Sequence, residues 1–193
     1  MDLLGHSAAG NVALLYAAAY PERIDHLVLV TPSLRARAGA DDEEQHAAMQ
    51  RRSAEPWYPA AAAAVQAAEA GDDSDPTRLA YLPFFYGRWD EAAQAHALVG
   101  MSERARAVLA GVYADGAFDP PATRAALAGL AAPVLVFAGE ADIGPTPEFA
   151  AEAVRPFPGW SPAVQPGAGH FPWLDDPAWF TAAVTAFLDA PVA

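Results

Sequence analysis

Ser7, Asp142 and His170 are the residues whose types and settings could support covalent chemistry. Ser7 lies in Gly5-His6-Ser7-Ala8-Ala9-Gly10, a run of small residues between the apolar stub Asp2-Leu3-Leu4 and a helix-forming stretch, Asn11 to Tyr20. A serine hydroxyl is a weak nucleophile at neutral pH until an imidazole takes its proton. His170, in the turn Gly167-Ala168-Gly169-His170, could take that proton and later deliver it to a leaving group. Asp142, in Gly139-Glu140-Ala141-Asp142, could fix the tautomer of that imidazole and stabilise its protonated form. Each residue also has a purely structural reading. A serine in such a turn can cap a helix, and a lone histidine is commonly buried and hydrogen-bonded. Asp142 could cap the helix starting near Pro147, and Glu140 is the nearest rival for the acid. If the three side chains meet, the chemistry is acyl transfer through a covalent acyl-enzyme.

The elements that must position them follow from pattern. His26-Leu27-Val28-Leu29-Val30-Thr31 is a continuous apolar, β-branched run bounded by Asp25 and Pro32, which reads as a strand covered on both faces. With the stub, the small-residue turn and the first helix it makes a βαβ unit. Pro133 to Ala138 is a second buried strand, Pro147–Val154 a helix, Ser161–Gln165 a weaker strand, and Asp176–Leu188 a closing amphipathic helix. Between the second and third strands, alanine and prolines dominate. Short helices are expected there at Asp42–Arg52, Pro59–Ala70, Pro76–Leu82, Asp90–Val99, Ser102–Tyr113 and Pro121–Leu127. The fold class is α/β, with a mostly parallel sheet of about four strands, flanking helices and an inserted helical segment. Residues 1–33 and 128–193 form the core, and residues 34–127 the insertion. Ser7, Asp142 and His170 then all follow strand carboxyl ends, where open parallel sheets gather their ligands.

Composition narrows the function classes. Acidic residues outnumber basic ones 24 to 11 over 193 residues, for a net charge of −13, which argues against a nucleic-acid partner. The chain has no cysteine, so disulfides and thiolate chemistry are excluded. The five histidines show no metal-ligand spacing, so neither metal nor cofactor is expected. No basic leader precedes the first strand and no apolar run reaches the ~20 residues of a membrane span. A cytoplasmic protein acting on a small molecule, away from membranes, is expected.

The turn Gly5-His6-Ser7-Ala8-Ala9 fits the G-x-S-x-G nucleophile elbow with alanine at the last position, and the order Ser…Asp…His is that of one convergent triad. With Gly139 to Asp142 and Gly167-Ala168-Gly169-His170-Phe171-Pro172-Trp173, these motifs make the chain resemble an α/β-hydrolase over nearly its whole length. The resemblance implies a serine hydrolase with Ser7 as nucleophile, His170 as base and Asp142 as orienting acid. Its substrate would be an ester, or less readily an amide or a carbon–carbon bond. One oxyanion-hole donor would be the N–H of Ala8. The insertion falls where this family carries its cap. Most of its aromatics (Trp57, Tyr58, Tyr81, Phe84, Phe85, Tyr86, Trp89, Tyr113 and Phe118) read as cap core, with Trp57, Tyr86 and Trp89 as candidate substrate contacts. His6, Phe171 and Trp173 are candidate pocket walls beside the triad. By the same comparison, the chain carries the family's fifth to eighth strands and lacks the first four, along with the loop that supplies the second oxyanion donor. The first strand would then keep an apolar edge open to a second copy or a complementing chain. A non-catalytic or partner-completed piece, or a hydrolase-like binder, is the alternative.

Overall fold

The computed structural model describes residues 1–33, 42–103, 111, 114 and 116–191. Four strands, β1 (Asp2–His6), β2 (His26–Val30), β3 (Val134–Gly139) and β4 (Trp160–Gln165), form one sheet in that order. Every pairing is parallel. The helices are α1 (Ala9–Ala19), α2 (Asp42–Gln50), α3 (Tyr58–Glu69), α4 (Asp75–Tyr81), α5 (Glu91–Ser102), α6 (Pro120–Leu127), α7 (Pro147–Val154), α8 (Pro172–Asp175) and α9 (Pro177–Leu188). The helix expected at Ser102–Tyr113, Tyr113 included, lies largely outside the described residues.

Strand period and burial explain the layers. In β2 and β3, Leu27, Leu29, Val134 and Val136 face one side, where Ala13, Leu14 and Ala17 of α1 and Ala150, Ala153 and Val154 of α7 cover them. Val28, Val30, Leu135 and Phe137 face the other, under Trp179, Phe180, Val184 and Phe187 of α9. Both central strands are buried along their whole length, as strands covered on two faces must be. The outer strand β4 is half-exposed and holds Pro162, which a sheet tolerates at an edge. At the other edge, β1 pairs with β2 alone, and Leu4 is 53% exposed.

Helix starts follow side-chain capping. Asp90, Asp119, Thr146 and Asp176 each accept a hydrogen bond from the backbone N–H three residues on, at 3.0–3.1 Å. Prolines open α6, α7 and α9, where a missing N–H costs nothing. Among the described residues, three helical turns escape the sequence reading, 3-10 turns over Pro21–Arg23 and Leu82–Phe85 and the four-residue α8, because all are too short to show a period. Between β2 and β3, α2 to α5 build clusters around Phe84 and Tyr86, which Ile143, Phe171 and Leu174 join from beyond β3 and β4. By contrast, Leu127 at the end of α6 joins the sheet core beside Leu14, so the chain is already back on the sheet before residue 128. Among the described residues, no helix is long and apolar enough to cross a membrane.

Phe137 is fully buried, with Trp179 and Phe180 edge-on at 5.6 and 5.3 Å. Phe137→Ala is expected to cost about 3–5 kcal/mol in urea denaturation. A loss under about 1 kcal/mol would mean that α9 is not seated on the sheet as described.

Candidate active site

Parallel pairing brings the carboxyl ends of β1, β2, β3 and β4 to one rim, and the turns leaving that rim carry the chemistry-bearing side chains. Ser7 follows β1 directly, with φ of +53°. A side chain is rarely held in this left-handed region without support from its surroundings. Here the Ser7 N–H donates to the Val30 carbonyl at 3.1 Å, and the Ser7 carbonyl accepts from Gly10 and Ser33 at 2.9 Å each. The sharp turn presses α1 against the loop after β2. A Cβ on Gly10 would stand 2.7 Å from the Pro32 Cβ, so only glycine fits there. Ala8 opens α1 with helical dihedrals of −58° and −31°, and its N–H belongs to the helix-start set that lacks an intrahelical acceptor.

His170 follows β4 through the turn at Gly167. Its Nε2 lies 2.8 Å from the Ser7 Oγ, and its Nδ1 lies 2.8 Å from Asp142 Oδ2. A carboxylate can only accept, so Nδ1 carries the proton and Nε2 is left to accept from the serine hydroxyl. Asp142, which is 1% exposed, has its other oxygen tied to the Gly144 N–H at 3.0 Å. Glu140, the rival acid, instead accepts from the Gly167 N–H at 2.8 Å and so braces the turn leading to His170. The three candidates therefore form one continuous hydrogen-bonded line.

A profile described as "Alpha/beta hydrolase family" matches residues 2–183. The chain belongs to the alpha/beta hydrolase family. Among solved structures, an esterase from Exiguobacterium antarcticum superposes with a TM-score of 0.67 at 18% identity, over 98% of this chain and 66% of that one. A serine hydrolase from the bacterium Cycloclasticus zankles gives 0.65 at 16% identity, over 98% and 64%. A thermophilic esterase from Thermogutta terrifontis gives 0.56 at 24% identity, over 97% and 64%. This chain thus spans just under two thirds of those hydrolases' length. At these identities the likeness is one of fold. No curated protein matches the chain significantly.

Around Ser7, Asp142 and His170, the candidate wall residues divide. His6, Phe85 and Phe171 place their rings 5.1, 5.5 and 5.4 Å from that of His170. Trp173 lies edge-on to His6 at 4.8 Å. Tyr86 is one ring further out, 5.0 Å from Phe171, with its hydroxyl 2.8 Å from Nδ1 of His96. Burial pushes that hydroxyl's pKa up to about 12. Trp89 touches Tyr86 at 5.2 Å and is a further step removed. Trp57 is not brought to the triad. It packs against Phe84 at 5.1 Å and under the Arg52 guanidinium at 4.7 Å, because the apolar face of α2 and α3 claims it. A cavity of about 270 Å³ adjoins Asp142 from this side, with Arg51, Arg52, Glu55 and Glu140 among its wall residues. No group of three or more potential ligand side chains suited to a metal occurs among the described residues.

Two residues that matter here were not foreseen. Thr31, at φ +39°, donates from Oγ1 to the His170 carbonyl at 2.9 Å. Its place just past the buried run of β2 was the available signal. Phe85 accepts from the His170 N–H through its backbone carbonyl at 2.8 Å, a role open to any residue type and so invisible in sequence.

His6 Nε2 also donates to the His170 carbonyl, at 2.9 Å. Burial first, and the neighbouring His170 second, lower the pKa of His6 from 6.5 to about 4. The unfolded chain therefore binds a proton more readily than the folded one between these values. Stability should decline as pH falls from 6.5 towards 4, by up to about 3 kcal/mol from this residue. Denaturant titrations of the wild type and His6→Gln across that window should show the acid-induced loss reduced in the variant. Equal slopes would refute the assignment.

Proposed function

We propose that the chain is a serine hydrolase that cleaves an ester of a small, largely apolar compound. The observation that supports it best is the unbroken line from the Ser7 hydroxyl through the His170 ring to Asp142, with 2.8 Å at each step. In this reading His170 Nε2 takes the Ser7 proton as Oγ attacks the ester carbonyl, and Asp142 steadies the imidazolium. The proton then passes to the leaving alcohol, leaving an acyl group on Ser7. Water, deprotonated by the same imidazole, releases the acid and restores the serine. The Ala8 N–H, at the start of α1, would be one donor to the oxyanion.

The walls next to His170 are rings: Phe85 and Phe171, with Trp173 behind His6. They favour an apolar acyl or alcohol part over a charged one, and the net charge of −13 disfavours anionic substrates further. Amide or carbon–carbon cleavage would use the same groups and ranks behind ester hydrolysis. Residues 42 to about 119 would act as the cap that selects substrate, through Tyr86 and Trp89 rather than Trp57. The open edge of β1, with Leu4 exposed, favours a second reading in which the site works only when another chain pairs there.

Intact mass after exposure to a fluorophosphonate separates the readings. A single adduct, lost in Ser7→Ala, is expected. The adduct should also be lost in folded His170→Ala, and its retention there would count against His170 as the base. Asp142→Asn should lower ester turnover by about 10⁴-fold with the fold retained. Soluble, folded wild type that takes no adduct would overturn self-sufficient activity and favour the paired-chain reading.

A further inference from the structure

We propose that Arg52 is a positioning residue for His170, acting through the backbone of Phe85-Tyr86-Gly87, a strap that lies across the histidine turn. The proposal rests on the hydrolase reading of the triad, although the contacts that motivate it stand without that reading.

The strap meets the turn backbone to backbone. The His170 N–H donates to the Phe85 carbonyl at 2.8 Å. One residue earlier, a Cβ on Gly169 would lie 2.5 Å from the Gly87 nitrogen and 2.6 Å from the Phe85 oxygen, so two glycines are needed for the chains to come this close. The Gly169 N–H is held at 2.9 Å by the Asp175 carboxylate, whose other oxygen lies against Gly87. The strap and the turn thus behave as one packed unit, and a shift of the first moves the second.

Arg52, in the turn after α2, fixes the far side of the strap. Its guanidinium donates to the Tyr86 carbonyl at 2.5 Å and to the Gly87 carbonyl at 3.2 Å, in the forked geometry that arginine alone offers. Glu55 lies 3.4 Å from the same group and the Trp57 ring 4.7 Å beneath it, leaving the side chain 9% exposed. A nearly buried cation held by one carboxylate and one ring has little freedom to move. Arg52 also shares the wall of the cavity behind Asp142, so it borders the acid of the triad and holds the segment that sets the base. It touches neither Ser7 nor His170, and its influence on them is through position.

The test uses the full chain and its Arg52→Lys and Arg52→Gln variants. The first readout is the fluorophosphonate labelling rate, with Ser7→Ala as control. The second is the downfield proton resonance of the His170 Nδ1–H, assigned by its absence from Asp142→Asn. In folded Arg52→Gln the labelling rate should fall about ten- to a hundredfold, with the resonance shifted or broadened, because small misplacements at a reacting centre have effects of this size. Arg52→Lys, which keeps the charge and loses the fork, should lie between. A variant that melts as the wild type does, with both readouts unchanged, would overturn the proposal. If Arg52→Gln does not fold, Arg52→Lys decides by the same criterion. If the wild type takes no label, self-sufficient activity fails, and the resonance alone still tests whether Arg52 sets the histidine.

Discussion

The His170 carbonyl accepts two hydrogen bonds, from His6 Nε2 and from Thr31 Oγ1, while its N–H donates to Phe85. Three regions, each more than eighty residues from His170 in sequence, thereby meet on the backbone of a single residue. A ring can be aimed at two partners only if its backbone is fixed, and here the end of β1, the end of β2 and the helical segment fix it together. The sheet's parallel register makes this arrangement available, since His6 lies opposite Val30 and the residues just beyond them face the turn leaving β4. The two non-glycine residues with positive φ among the described residues, Ser7 and Thr31, both belong to this junction. Backbone strain is concentrated where the site is assembled and shared among the bonds that hold it.

His6 shows how such a junction constrains protonation. It stands 5.1 Å from His170 and could compete with it for a proton, yet burial keeps it neutral across most of the pH range in which histidines titrate. It contributes one N–H to the His170 carbonyl and no charge. The imidazole between Ser7 and Asp142 is therefore free of a cationic neighbour on this side.

Much of this was legible from residue order. Ser7, Asp142 and His170 stood out because each follows a strand run and each is a type that chemistry needs, and the sheet brings them together. The buried strands were visible because β2 is apolar from Leu27 to Val30 and β3 has no polar side chain. The unforeseen parts act through groups that every residue carries. Phe85 serves with its carbonyl, Gly87 and Gly169 by lacking a side chain, and Arg52 by reaching carbonyls more than thirty positions away. Trp57 was read as a substrate contact on type alone. Its fate was decided by Phe84 and Arg52, which come together only once α2 and α3 pack. The return of α6 to the sheet was hidden for a similar reason, since Leu127 looks the same in an insertion as in a core.

The sheet's two outer strands differ in kind, and the difference bears on symmetry. The β4 side carries Pro162, which cannot offer an N–H to a newcomer, while β1 has no proline and presents Leu4 to solvent. A sheet with two receptive edges can stack head to tail without limit. One with a single receptive edge can join only to a copy of the same edge, about a two-fold axis, after which no pairing surface is left. Self-association of this chain through the β1 edge alone would thus close at two chains.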